Sequence, residues 1–324
     1  MKLVISIALM AVVCILYVHK QQKIMYYSQN TKIVTAIKKL RYTNKQANKK
    51  VDKIQYSRVK LTHQEDEFDY FYYDYISGSD SSKPTVVILP FLGGHSQSNL
   101  IRSVVKRFND QGHSVAVLLQ RGSMGTSNHP NQQKFRQVSD YEDLQLLLST
   151  LNREVILIGY SVGAYQMIRF LGKASNIKVH SAFACYFLWD QSHPFKVGHK
   201  ADIFGSSIVQ HVSSNFIYLQ NHGISPESLQ KVIDEKSMVV YDSILSSKLN
   251  MSKTNMYQER NDEIKQCLQN IKCECLFVWG KKDVLTPGVP VDYIKGNEKL
   301  SYAAVNCGHL DGIANELIYK VALK

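Results

Sequence analysis

The chain has 324 residues, 44% of them hydrophobic and 20% charged, the proportions of a globular protein long enough to bury a full core. That length allows one large α/β domain with an insertion or two small domains. The formal charge of +12 is concentrated near the start. Between Lys20 and Arg58 lie nine further lysines and arginines, from Lys23 to Lys53, with Asp52 the only acid. No nucleic-acid-binding motif accompanies the charge, so it reads as a solvated linker or as a segment drawn to anionic lipid head groups.

Ahead of that stretch, the run from Leu3 to Val18 is uncharged and strongly apolar. A spanning helix needs ~20 residues and a signal-peptide core about 7–15. The residues that follow, His19, Lys20 and Gln21, are too bulky and polar for a small-x-small cleavage site. The sequence therefore predicts an uncleaved single-pass anchor over residues 1–20 and a basic linker over 21–53, with a cleaved signal peptide and secretion as the alternative. The basic flank would hold the globular part on the cytoplasmic side under the positive-inside rule, whereas a signal-anchor can also place it in the lumen. Asn250-Met251-Ser252 is a glycosylation sequon.

Residues 54–62 and 68–76 alternate enough for two antiparallel strands joined by the acidic turn 63–67. After a Gly/Ser loop, strand and helix patterns alternate. Strands are expected over 85–89, 114–119, 155–158 and 179–188, with helices over 98–108 and 140–151. The rhythm breaks at 190–266, which has helical patterns but no buried strand and reads as a lid or cap inserted above the sheet. A strand over 273–279, a helix over 289–295, a strand over 300–305 and a helix over 312–320 complete the chain. Short apolar strands alternating with helices make an α/β fold, a mostly parallel sheet covered on both faces.

The six cysteines form no disulfide framework and no zinc pattern. Cys14 lies in the apolar run, Cys185 and Cys275 fall in expected strands, and Cys273 and Cys275 share one face of a strand.

Val155-Ile156-Leu157-Ile158 enters Gly159-Tyr160-Ser161-Val162-Gly163, and a helical stretch leaves it. Gly-x-Ser-x-Gly between strand and helix is the layout of a nucleophile elbow, in which small residues flank a serine on a tight turn. Serine needs a base within hydrogen-bond reach, oriented in turn by an acid. Asp283 follows the 273–279 strand and His309 follows the 300–305 strand, in the order Ser, Asp, His and at the strand ends where such sheets place their sites. Asp190, at the end of the strand after the elbow, is the competing acid. Asp311 reads as a helix cap and His95 as a residue on the rim of the site. Backbone N–H donors for an oxyanion are expected from Val162 and from Leu92 in the loop Pro90-Phe91-Leu92-Gly93-Gly94. No cofactor and no metal are called for.

These residues make the chain resemble the α/β-hydrolases and, more narrowly, the membrane-anchored abhydrolase-domain group that includes the YheT-like esterases. The resemblance runs from about residue 54 to the C-terminus. It rests on Leu92-Gly93-Gly94-His95, Gln120-Arg121-Gly122, the pair Asp140 and Asp143, the elbow, and Gly308-His309-Leu310. Tyr241-Asp242-Ser243 and Asn255-Met256-Tyr257 add to it. Pro90-Phe91 stands where that group has His-Gly, and Ala164 replaces a second glycine after the elbow. The resemblance implies a serine hydrolase acting on carboxylic esters of lipids or other acyl compounds through an acyl-enzyme. Acyl transfer to an alcohol by the same residues, or an inactive membrane-tethered scaffold, are the alternative readings.

Overall fold

The computed structural model describes residues 25–29, 51–122, 126, 128–137, 139–173, 177–190, 192, 205–286, 291–310 and 312–323. The expected anchor and most of the expected linker lie outside them. Among the described residues no helix is long and apolar enough to cross a membrane.

Among the described residues nine strands form one sheet. In chain order they are β1 (Met25–Tyr27), β2 (Ser57–Thr62), β3 (Tyr70–Ile76), β4 (Thr85–Leu89), β5 (Val115–Leu118), β6 (Val155–Tyr160), β7 (Val179–Cys185), β8 (Cys275–Gly280) and β9 (Leu300–Val305). Their spatial order is β1-β9-β8-β7-β6-β4-β5-β3-β2. From β5 to β9 all neighbours are parallel, while β3 runs against β5, β2 against β3, and β1 against β9. β4 and β6 are buried at every position because helices cover both faces, which is why these strands read as unbroken apolar runs.

The helices are α1 (Asn99–Asp110), α2 (Glu142–Leu151), α3 (Val162–Lys173), α4 (Gly205–Ser214), α5 (Phe216–Asn221), α6 (Pro226–Glu235), α7 (Met238–Lys248), α8 (Lys253–Asn270), α9 (Val291–Lys295) and α10 (Ile313–Ala322). Alternate strand residues point to opposite faces. Val87, Leu89 and Leu157 pack with α2, α3 and α8, whereas Val86, Ile88 and Ile158 pack with α1 and α10. α1 offers Ile101, Val104, Val105 and Phe108 at helical spacing to that second core. Helices α4 to α7 and the start of α8 build a third core of their own around Val212, Tyr218, Leu229 and Tyr241.

Several expectations shift. Strand β1 lies inside the segment expected to be a basic linker. Its three residues carry no alternating pattern, and it is fixed by pairing with β9 and by a 2.7 Å hydrogen bond between the Ser28 and Ser301 hydroxyls. The region 190–266 holds helices, as expected. However, α8 runs past its end, and Ile264, Cys267 and Leu268 belong to the core beneath the sheet. Gly172 of α3 permits this: a Cβ there would stand 2.4 Å from the Cys267 backbone. Cys273 precedes β8 rather than lying on it, although it packs against the same core as Cys275. The five described cysteines are free.

Helix α4 is seated on the loops that follow β4 and β5. Gly93, at φ +71°, abuts Ser207, and Gly122, at φ +82°, abuts His211 and Asn215. Asn215 accepts the Asn128 N–H at 2.7 Å, tying the same helices to the loop after β5.

Candidate active site

β4 and β6 are neighbours, while β5 lies outside β4 and β7 outside β6, so the strand order reverses between them. Crevices for ligands open at the C-terminal ends of strands at such a point. The loop 90–94 leaves β4 there, and Ser161 leaves β6.

Ser161 has φ +52°, a left-handed conformation costly for serine, and its side chain is buried at 4% exposure. Its N–H donates to the Cys185 carbonyl at 2.9 Å, and its own carbonyl accepts the Tyr165 N–H at 3.1 Å to start α3. The flanking glycines are steric necessities. A Cβ on Gly159 would stand 2.5 Å from the Ala164 Cα, and one on Gly163 2.3 Å from the Leu89 carbonyl oxygen. Both clashes are with backbone atoms, so neither glycine can carry a side chain unless the turn itself moves.

The structure brings three expected residues together. His309 Nε2 lies 3.2 Å from Ser161 Oγ, and His309 Nδ1 lies 2.7 Å from Asp283 Oδ2. The other Asp283 oxygen accepts the Leu285 N–H at 2.9 Å. Burial pushes the Asp283 carboxyl up, but the hydrogen bond and charge of His309 and the Leu285 N–H outweigh it and hold it below the usual range. An ionised Asp283 selects the tautomer with a proton on Nδ1, which leaves Nε2 free to accept from the serine hydroxyl.

Two backbone bonds hold the acid and the histidine side by side. Lys281 N–H donates to the Val305 carbonyl at 2.8 Å and Lys282 N–H to the Cys307 carbonyl at 2.9 Å. The loops approach so closely that a Cβ on Gly280 would lie 2.6 Å from the Cys307 oxygen. A glycine ending a strand is a known mark of such close backbone approach.

Tyr186 was missed altogether. It is fully buried at φ +56°, its ring stands 5.5 Å from the His309 ring, and its hydroxyl is 3.6 Å from Cys307 Sγ. Of the six non-glycine residues with positive φ among those described, Ser161, Tyr186 and Leu310 cluster here, while Asn152, Lys236 and Asn250 end helices. Nothing in the sequence marks a tyrosine for that conformation.

The competitors lie elsewhere. Asp190 accepts from Ser192 and from Asn261 at 3.1 Å, away from His309. His95 caps its own loop, accepting the Gln97 N–H, and burial lowers its pKa. Asp311 lies outside the described residues, and Gly312 occupies the cap position of α10. Val162 opens α3, where a first-turn N–H has no intrahelical acceptor. Leu92 is buried in the loop after β4, where the Pro90 carbonyl accepts from Gln120 at 2.7 Å and the Phe91 carbonyl accepts the Gly94 N–H at 2.7 Å.

The motif residues beyond the site are structural. Arg121 reaches Asp143 through two bonds of 2.7 and 2.8 Å, Asp69 at 2.8 Å, and Asn128 and Gln132. Arg136 shares Asp69, and His63 meets Asp143 at 2.9 Å. A cavity of about 460 Å³ beside this cluster is lined by His63, Asp69, Arg136 and Glu142 among others. It shares no residue with the Ser161 group, and charged side chains of both signs line it. Tyr257 donates to Asp242 at 3.0 Å, joining the two segments picked out in the insertion. Among the described residues no group of His, Cys, Asp and Glu is arranged to hold a metal ion.

Comparison with known proteins bears on the fold and the family. The chain finds no match among curated protein sequences. Among solved structures it is similar to the esterase Pf2001 of Pyrococcus furiosus, with a TM-score of 0.51 at 15% identity over 87% of this chain and 90% of that one. It is also similar to a lipase candidate of Acinetobacter baumannii, with a TM-score of 0.52 at 15% identity over 91% and 94%. At such identity these likenesses speak to the fold, which is that of the α/β-hydrolases. Residues 80–292 match the family described as serine aminopeptidase, S33, from the β3–β4 loop through the elbow and Asp283 to the start of α9. With more than half of its length matched, the chain belongs to that family and is a serine hydrolase of the α/β-hydrolase fold.

Proposed function

We propose that the protein is a carboxylic-ester hydrolase in which Ser161, His309 and Asp283 form the catalytic triad. The observation that carries the proposal is the unbroken chain of contacts from Ser161 Oγ through both imidazole nitrogens to Asp283. Ser161 Oγ attacks the acyl carbonyl carbon as its proton passes to His309 Nε2. The bond from carbon to the leaving alkoxide then breaks, and His309 returns the proton to that oxygen. Water repeats the sequence on the acyl-enzyme, releasing the acid and restoring Ser161. Asp283 stays ionised and stabilises the imidazolium, and the Val162 and Leu92 N–H groups hold the oxyanion.

The chain's motifs also resemble the membrane-anchored YheT-like group. It supports a lipid ester as substrate, with residues 3–18 as the anchor and the 190–266 insertion as a cap over the site. The family description points instead to aminopeptidase activity. A panel of p-nitrophenyl esters of rising chain length, acylglycerols and aminoacyl anilides separates the two. Ester turnover lost in Ser161→Ala supports the proposal, whereas turnover of aminoacyl anilides alone contradicts it. A competing alcohol in the same assay reveals acyl transfer as an alkyl ester product.

A further inference from the structure

The direction of β1 fixes where the start of the chain meets the sheet. β1 runs antiparallel to β9, pairing Met25 with Ala304 and Tyr27 with Tyr302. β9 points towards His309, so Met25 stands at the C-terminal end of β9, on the same rim as Ser161, Asp283 and His309. Ala304 also pairs with Trp279 near the end of β8, which places Met25, Ala304 and Trp279 in one row across that rim. Had β1 run parallel to β9, the chain would enter at the opposite edge, away from the site.

Only residues 19–24 separate the apolar run 3–18 from Met25. At about 3.6 Å per residue, six residues span no more than about 22 Å, less than the width of a small domain. Whatever holds residues 3–18 therefore lies within about that reach of Met25 and of the rim on which it stands.

The surface of the same rim carries a second signal. The loop after β8 presents Lys282 and Val284 to solvent, beside Lys281 and directly around Asp283. Val284, at 39% exposure, is one of two exposed large hydrophobic residues among those described. The other, Ile217 at 54%, lies on α5, which is joined through Asn215 to the loop after β5 on this same end of the molecule. Basic and apolar side chains projecting together suit an interface of anionic head groups over acyl chains.

We propose that this C-terminal rim rests on the bilayer that holds residues 3–18, so that the enzyme takes its ester from the membrane surface rather than from bulk water. The inference rests on the ester-hydrolase reading above and on residues 3–18 being a membrane anchor. It names the source of the substrate, which that reading leaves open.

The test uses the full chain reconstituted in phosphatidylcholine–phosphatidylserine vesicles, with and without a flexible spacer of about twenty residues inserted between Lys23 and Ile24. Effective concentration falls roughly as the −3/2 power of tether length, so lengthening six residues to about twenty-six lowers it up to about nine-fold. Hydrolysis of a long-chain diacylglycerol in the same vesicles is expected to fall several-fold in the spacer form, with hydrolysis of a soluble short-chain ester unchanged. Equal diacylglycerol rates in both forms would overturn the proposal, as would release of the intact chain from vesicles by alkaline wash.

Tryptophan fluorescence gives a second measurement if the spacer form does not fold. The two tryptophans, Trp189 and Trp279, both lie at this rim. Vesicles with bromines near the head groups are expected to quench them, and undiminished emission contradicts the orientation. Labelling of Ser161 by a fluorophosphonate in every form keeps the two readings apart. Labelling with no spacer effect removes the membrane orientation alone, and absence of labelling removes the hydrolase reading and this inference with it.

Discussion

Two glycines near His309 are expected to respond oppositely to alanine. Gly280 lies 29 residues from the histidine in sequence, yet a Cβ there would stand 2.6 Å from the Cys307 oxygen and 2.8 Å from the Gly308 oxygen. Ordinary contact begins near 3.4 Å, so the methyl needs about 0.8 Å that two hydrogen-bonded backbones must supply. Overpacking of this kind costs about 1–3 kcal/mol of stability. Its larger effect is on catalysis, because the strand end that moves leads to Asp283 and the loop that moves carries His309. A misplacement approaching 1 Å can cost about 10²-fold in rate. Gly308, directly before His309, has no atom within 4 Å of its own Cβ position and no positive φ. Gly280→Ala should therefore lose about 10- to 100-fold in kcat on a soluble ester while melting cooperatively, and Gly308→Ala should stay within a few-fold of the parent. Steady-state kinetics and thermal unfolding of both variants check this. A fully active Gly280→Ala, or an inactive but folded Gly308→Ala, would refute the steric reasoning.

Asp283→Asn keeps the shape of the acid but removes its charge and inverts the preferred imidazole tautomer. kcat should fall by roughly 10⁴ with little change in KM, measured on the same ester. His211 is buried beside Tyr241, and burial pulls its pKa down to about 4 despite its contact with the Arg121 carbonyl. The unfolded chain thus binds the extra proton first as pH falls from about 6.5 towards 4. Stability should drop by up to about 3 kcal/mol across that window, seen as a falling urea midpoint that His211→Gln flattens. Asp69→Ala would strip a shared partner from Arg121 and Arg136, both buried. Arg121 keeps Asp143 and Arg136 keeps Glu142, so the loss should stay below the ~3–5 kcal/mol of a fully uncompensated buried charge, measurable by urea unfolding.

The positions of Asp283 and His309 were legible because each follows an apolar strand, and strand ends are where this kind of sheet puts its chemistry. The serine was legible because its glycines are written into the chain. What escaped was decided by tertiary contact. β1 is three residues without a pattern, set only by its partner strand. Tyr186 takes a backbone conformation that its residue type disfavours. The end of the 190–266 insertion blurred because α8 serves two cores with one continuous helix, Met256 and Tyr257 facing one and Ile264 and Leu268 the other. The acid pair Asp140 and Asp143 was visible in the sequence, but the destination of Asp143, a buried arginine cluster remote from Ser161, was not.

The most direct measurement is the mass of the protein after reaction with a fluorophosphonate, followed by peptide mapping. A single adduct on Ser161 is expected, formed slowly in Asp283→Asn and absent in Ser161→Ala. An adduct on another residue, or unchanged labelling of the folded Ser161→Ala variant, would contradict Ser161 as the nucleophile.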